Sequence, residues 1–194
     1  MYGTPTLFEV STEVRALPQQ IAPLYRPIKL FGPSYTVTAE PADNLSVHLA
    51  LAEAPSESVL VVTIGSETQH GFWGEVMTEA ALARGLGGLV TDGAVRDSRA
   101  IREKGFPVFC AAVAIPGTSK KSAGTLNQPI MLGEVEVRPG DYIVGDDDGV
   151  VIIPAGVIAA VIGSARIRAD KEMVFIEKLR RGESTVDLLK LKGR

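Results

Sequence analysis

Residues 129–154 read PIMLGEVEVRPGDYIVGDDDGVVIIP. Short apolar runs are separated by a Pro139-Gly140-Asp141 turn and by an Asp146-Asp147-Asp148-Gly149 turn, which is the pattern of β-hairpins. Upstream the pattern changes. Residues 58–64, SVLVVTI, are nearly all apolar, as expected of a buried central strand. Before them, residues 44–54 carry leucines and alanines at helical spacing, with Asp43 or Asn44 as N-cap. After them come a loop at 65–71, a helix at 75–84, a strand at 88–91 with an Asp92-Gly93 turn, a helix at 98–104 and a strand at 107–113. At the start, residues 9–17 predict a short opening helix and residues 29–38 a strand region interrupted at Gly32-Pro33. Strand–helix alternation followed by a β-meander predicts an α/β fold of stacked layers, not a Rossmann sheet.

Composition bounds the rest. A chain of 194 residues buries roughly 70% of its extended-state surface and needs neither disulfides nor a structural metal to fold. With 45% apolar and 22% charged residues and a mean hydropathy of +0.17, it is neither disordered nor membrane-like. Twenty Lys+Arg against 23 Asp+Glu leave a net charge of −3, so no basic excess exists to neutralise a nucleic acid. Cys110, the only cysteine, excludes an intramolecular disulfide and a Cys-rich zinc site. The opening MYGTPTLFEVSTEV has Glu9 and Glu13 and no basic region before an apolar core. The longest uncharged stretch, 149–165, contains Pro154, Gly156 and Gly163, falls short of a membrane span and reads as a strand, a break and a helix. A cytoplasmic protein without membrane or nucleic-acid partners is expected. No linker, low-complexity block or repeat divides residues 1–194, which read as one domain, with 155–194 forming a C-terminal helix and tail.

That helix holds Ile158, Ile162, Ala165, Ala169, Glu172, Ile176 and Leu179 at alternating spacings of four and three, a heptad-like seam with one carboxylate in it. Glu172 is either a surface carboxylate on an otherwise apolar face or a residue placed where the helix meets a site or a neighbouring subunit.

Several familiar motifs fail. Gly85-Leu86-Gly87-Gly88 follows a helix instead of a strand and lacks dinucleotide spacing. GTSKKS at 117–122 has no P-loop glycine frame. His48 and His70 form no metal-ligating pair and read as ordinary packing or surface residues. Asp146, Asp147 and Asp148 suit a turn better than a calcium loop. Asn44-Leu45-Ser46 is a sequon by chance.

One constellation survives. Gly74-Glu75-Val76-Met77 opens a helix, and twenty residues separate Glu75 from the Arg96-Asp97 pair at the end of the next strand. A helix N-terminus presents unpaired N–H groups that suit a small carboxylate, and glycine lets a ligand approach. A guanidinium holds a carboxylate or a developing oxyanion, and one carboxylate plus waters is a usual Mg²⁺ site. From spacing alone, a surface capping pair with a favourable first-turn charge is the simpler account.

Residues 71–113, GFWGEVMTEAALARGLGGLVTDGAVRDSRAIREKGFPVFCAAV, resemble the core of the RraA-like family. The resemblance continues in GPSYTV (32–37), DNLSVHLAL (43–51), the 139–154 hairpins and GESTVDLL (182–189). That family includes 4-hydroxy-4-methyl-2-oxoglutarate/4-carboxy-4-hydroxy-2-oxoadipate aldolases and regulators of ribonuclease activity that have lost the metal site. It implies a layered β/β/α sandwich of the swivelling type, assembled as a homotrimer or homohexamer with sites at subunit interfaces. It also implies cleavage of 4-hydroxy-2-oxo acids to pyruvate, with oxaloacetate decarboxylation through the same enolate.

Carried onto this chain, the resemblance makes Asp97 the protein ligand of Mg²⁺, or of another divalent cation such as Mn²⁺, and Arg96 the catalytic residue that stabilises the enolate. Backbone N–H groups of Gly74, Glu75, Val76 and Met77 would hold the substrate carboxylate. Glu75, and Glu172 from a neighbouring subunit, would act on the metal through water. Glu75 stands where well-known aldolases have Asp, and Met77 where Leu is usual. Lys120 and Lys121, in a polar loop, are poor candidates for a Schiff-base lysine. The competing reading is a non-catalytic, protein-binding regulator of ribonuclease activity, and the acid at position 97 separates the two. A scaffold that keeps the motif as a relic is the third.

Overall fold

The computed structural model describes residues 2–191; residues 192–194 of the predicted C-terminal tail lie outside them. Along the chain run α1 (Thr4–Glu9), β1 (Arg15–Ala16), β2 (Ala22–Pro23), β3 (Leu30–Thr38), α2 (Leu45–Glu53), β4 (Val59–Thr63), β5 (Gly71–Trp73), α3 (Glu75–Ala83), β6 (Gly88–Thr91), β7 (Ala94–Val95) and α4 (Ser98–Glu103). There follow β8 (Val108–Cys110), β9 (Ala112–Val113), β10 (Thr125–Leu126), β11 (Ile130–Leu132), β12 (Val135–Val137), β13 (Tyr142–Asp146), β14 (Gly149–Ile153), α5 (Ile158–Arg180) and α6 (Thr185–Leu188).

The main sheet has the order β1-β14-β13-β3-β4-β6-β8-β2, with β10 added to β3. Strands β3, β4, β6 and β8 are parallel, and α2, α3 and α4 lie on their crossovers. The predicted hairpins are the antiparallel flank, β13 against β14 and β3, together with the separate β11–β12 pair. Strand β4 explains why SVLVVTI is nearly all apolar. Leu60 and Val62 face a core shared with Val47, Leu51, Met77, Ala81 and Ile101 of the helices. Val59 and Val61 face a second core with Phe109, Ile130, Leu132, Val137 and Ile152. A strand covered on both sides needs apolar residues at both phases of its period of two. Strand β14 does the same, with Val151 and Ile153 turned to a third core under α1 and α5 that contains Leu7, Val14, Val161 and Ala165.

Three sequence expectations need correction. The opening helix spans Thr4–Glu9, not 9–17. Pro5 in its first turn favours that start, and Arg15-Ala16 instead adds an edge strand to β14, so sheet pairing overrides local helical preference. Strand β3 runs uninterrupted through Gly32-Pro33. Pro33 precedes the first rung of the parallel ladder with β4, which begins at Ser34, and a Cβ on Gly32 would lie 2.4 Å from the Glu57 carbonyl oxygen. The single strand predicted over 107–113 is two. Strand β8 stays in the main sheet, whereas β9 peels away to join β7 and β5 in a small parallel sheet. The same departure occurs between β6 and β7 at Asp92-Gly93 and between β4 and β5. This second sheet carries the chain beyond the carboxyl ends of the parallel strands, where ligands gather in open α/β sheets.

Helix α5 is 23 residues, about 34 Å at 1.5 Å per residue. Only Val161 and Ala165 are buried, while Ile162, Ile176 and Leu179 of the predicted seam are exposed. Among the described residues no helix is long and apolar enough to cross a membrane.

Candidate active site

Strand β5 enters α3 through Gly74, and β7 leads into α4 through Arg96 and Asp97. The two connections are bonded to each other. The Arg96 N–H donates to the Trp73 carbonyl at 2.8 Å, and the Glu75 N–H donates to Asp97 Oδ2 at 3.1 Å. Trp73 is buried, stacked on Phe106, and its indole N–H donates to Thr78 Oγ1 at 2.8 Å. The Thr78 hydroxyl in turn donates to the Gly74 carbonyl at 3.0 Å. The backbone that carries the site is therefore clamped to the core.

Arg96 lies in a cradle of glycines. A Cβ on Gly71 would sit 2.9 Å from Arg96 Cβ, one on Gly74 3.2 Å from its Nε, and one on Gly117 3.0 Å from its Nη1. The tightest approach is at Gly74, where a Cβ would come within 2.5 Å of Asp97 Oδ2. Asp97 itself has φ of +56°, left-handed backbone that costs most residues energy but that Asp tolerates. That turn aims its carboxylate back at the first turn of α3, 3.7 Å from the Arg96 Nε. Oδ2 takes both contacts. Oδ1 accepts no hydrogen bond among the described residues.

Beyond Gly117, the wall continues through residues 118–122 to α2. Asp43 ties them together: Oδ1 accepts from the Leu45 N–H at 2.9 Å, and Oδ2 accepts from the Ser119 hydroxyl and from the Lys121 N–H at 2.7 Å. These bonds, led by Ser119, hold the Asp43 carboxyl down at about 2. The cavity so formed has a volume of about 250 Å³ and is lined by Gly74, Glu75, Val76, Met77, Arg96, Asp97, Asn44, His48 and Lys120 among others. The predicted constellation is thus assembled in space.

Several of the predicted residues have further partners. Of the four N–H groups from Gly74 to Met77, that of Glu75 is already taken by Asp97. The Glu75 carboxylate pairs with Lys104 Nζ at 3.1 Å, at the C-terminal end of α4. Glu79 and then Glu75 raise the Lys104 pKa above its ordinary value. Glu172 does not line the cavity of its own chain; it pairs with Arg168 at 2.9 Å, which also meets Glu9. Lys104, Asp43, Asn44 and His48 were not assigned to the site from sequence. For Asn44 and His48 the readable signal was their i, i+4 spacing on one helix.

The donor set suits one kind of cation. Among the described residues no cluster of three or more His, Cys, Asp or Glu exists. A single carboxylate with a free oxygen at the mouth of a polar cavity fits a hard divalent ion that keeps most of its water.

Comparison with known proteins agrees with the fold. The family model described as RraA-like, Aldolase/RraA, matches residues 4–152. A protein of Halalkalibacterium halodurans, named a candidate 4-hydroxy-4-methyl-2-oxoglutarate aldolase, is 38% identical over 157 residues, covering 80% of this chain and 75% of that one. An uncharacterised protein of Pseudomonas syringae pv. tomato superposes with a TM-score of 0.85 at 25% identity, covering 94% and 90% of the two chains. The RNA-processing inhibitor RraA of Thermus thermophilus does so with a TM-score of 0.74 at 27% identity, covering 79% and 93%. With the match spanning most of the layered body and all of the Gly74–Asp97 cradle, this chain belongs to the RraA-like (Aldolase/RraA) family.

Proposed function

We propose that this protein is a divalent-metal-dependent carbon–carbon lyase. Its substrates are 4-hydroxy-2-oxo acids of the 4-hydroxy-4-methyl-2-oxoglutarate type, cleaved to pyruvate by retro-aldol reaction, and oxaloacetate, decarboxylated at the same site. The observation that carries the reading is the juxtaposition of Arg96 and Asp97 with the N-terminus of α3, made sterically feasible by Gly74. The name of the Halalkalibacterium halodurans relative supports the same chemistry.

Asp97 would hold the cation directly, with Glu75 and a neighbouring subunit's Glu172 acting through water. A bound Mg²⁺ or Mn²⁺ supplies positive charge that favours an enolate over its keto form. The Arg96 guanidinium, held between glycine backbones, donates to the pyruvyl oxygens and stabilises charge as it develops there. The N–H groups of Val76 and Met77 orient the substrate carboxylate at the positive end of α3. Glu75 stays near enough to hold a water for proton transfer while its ion pair with Lys104 limits its reach. We place the enzyme in the cytoplasm as a homotrimer or homohexamer, with the C-terminal helix at a subunit interface.

A specific observation favours one second reading, a protein-binding regulator of ribonuclease activity: the structural likeness to an RNA-processing inhibitor. Pyruvate release from oxaloacetate and from 4-hydroxy-4-methyl-2-oxoglutarate separates the two, run with Mg²⁺, with EDTA and against a protein-free Mg²⁺ control. Activity is expected to need Mg²⁺ and to fall at least ~100-fold in Asp97→Asn, which retains a side chain tolerant of left-handed backbone and removes only the charge. Activity that survives EDTA would sink the metal mechanism. No release above the control from either acid would favour the regulator.

A further inference from the structure

The proposed retro-aldol reaction must take a proton from the C4 hydroxyl, at the end of the substrate away from Arg96. The N-cap and first turns of α2 present Asn44 and His48, one turn apart, to the same cavity. The adjoining, apolar face of α2 is consumed by the core through Val47, Ala50 and Leu51. Asn44 is buried and its amide nitrogen donates to the Phe72 carbonyl at 2.8 Å, which pins this end of the helix to the site; its Oδ1 is left without a partner. His48 is half-buried, and its ring makes no hydrogen bond to any described residue.

We infer that His48 is a catalytic residue, the general base that receives the C4 hydroxyl proton in retro-aldol cleavage. The inference rests on the lyase reading above. The free ring nitrogen of His48 takes the hydroxyl proton as the C3–C4 bond breaks. The electron pair of that bond moves to the C2 carbonyl as the enolate, and C4 leaves as a carbonyl. The proton passes back to C3, giving pyruvate. Oxaloacetate loses carbon dioxide to the same enolate without any hydroxyl proton, so it has no need of this base.

The surroundings keep the imidazole ready. Burial, and then the charge of Lys120, push its pKa below the ordinary value, so the ring is neutral at pH 7. The other charged groups of the cavity are Arg96, Asp97 and Glu75. On the elements packed against α2, Tyr35 of β3 is paired with Glu53 of α2 itself, Glu79 of α3 is paired with Lys104, and β10 contributes no titratable side chain. Lys120 is held at the wall by the bonds of its neighbours to Asp43, which keeps that positive charge close to the ring.

The test compares His48→Gln and His48→Phe with the parent chain on both substrates, in the presence of Mg²⁺. Retro-aldol kcat is expected to fall about 100-fold or more, as for other general bases, while oxaloacetate decarboxylation changes by less than about threefold. The acid limb of the retro-aldol pH profile, set by a pKa below the ordinary imidazole value, should disappear in both variants and be absent from decarboxylation throughout. Retained decarboxylation also shows that the variants fold. An independent readout is the ring-proton NMR of the two histidines, assigned with His70→Gln, on addition of 2,4-dihydroxy-4-methylglutarate, which lacks the 2-oxo group and cannot cleave. The His48 signals should shift and the His70 signals should not. Retro-aldol turnover unchanged in His48→Gln and His48→Phe, or an unmoved His48 signal, would overturn the inference and leave the lyase intact. Loss of both reactions to the same degree would overturn the specific role of His48. A parent chain inactive on both acids would instead remove the lyase reading itself.

Discussion

Gly74 carries the strictest steric condition in the site, and it is a condition imposed by a side chain 23 positions away. A methyl group there would lie 2.5 Å from Asp97 Oδ2, so the carboxylate or the α3 backbone must move. Gly74 has φ of −154°, which any residue can adopt, so the clash is local and does not strain the backbone. Gly74→Ala is therefore expected to melt close to the parent while losing about 100-fold in kcat/KM, since misplacement on the ångström scale has that effect on catalysis. A variant with unchanged activity would show that Asp97 has no set position to defend. The Arg96-Asp97 dipeptide and the acid before it were legible in the chain because residue type declares charge. The partner of that acid was not. Lys104 lies 29 positions from Glu75, and only the packing of α4 beside α3 brings them to 3.1 Å.

At the scale of elements, the α2 start and the 117–122 loop depend on one carboxylate. Asp43 has its pKa lowered from 3.8 to about 2 because its ionised form accepts several hydrogen bonds. A depressed folded value means that this contribution to stability is full above 3.8 and is lost as pH falls through about 2. Asp43→Asn is accordingly expected to flatten the decline in melting temperature across that acid window. It should also raise KM more than it lowers kcat, because the loop that carries Lys120 loosens while Arg96 stays in place. An unchanged KM would show that the loop does not meet substrate. The doubly buried β4 could be read directly, since apolar residues at both phases have only one simple meaning. The division of 107–113 into β8 and β9 could not. The Ala111 N–H donates to the Gly93 carbonyl where the two sheets part, a bond between segments 18 positions apart that leaves no local trace.

For the whole molecule, the distal part of α5 is the unfinished surface. Met173, Val174, Phe175, Ile176 and Leu179 are exposed, and α6 with its C-cap adds Val186 and Leu189. All three cores draw only Val161 and Ala165 from α5 as buried members. Removing residues 170–194 is thus expected to leave a folded body with a melting temperature within a few degrees of the full chain. Sedimentation should show an assembly of fewer subunits than the full chain forms, because exposed apolar surface of this kind marks an interface. An assembly with the same number of subunits would remove the helix from the interface, and with it the proposed reach of Glu172 to a neighbouring site.

The sequence by itself determined the layered α/β class, the buried central strand, the hairpin flank and the charged groups of the site. Those follow from period, turn chemistry and residue type, which are local properties. Only the tertiary structure decided which strands peel into the second sheet, that Glu75 answers to Lys104, that Asp43 staples the far wall, and that His48 faces the same cavity as Arg96. Each of these is a contact between segments distant in the chain. It forms because burying both faces of the sheet leaves those side chains one place to go.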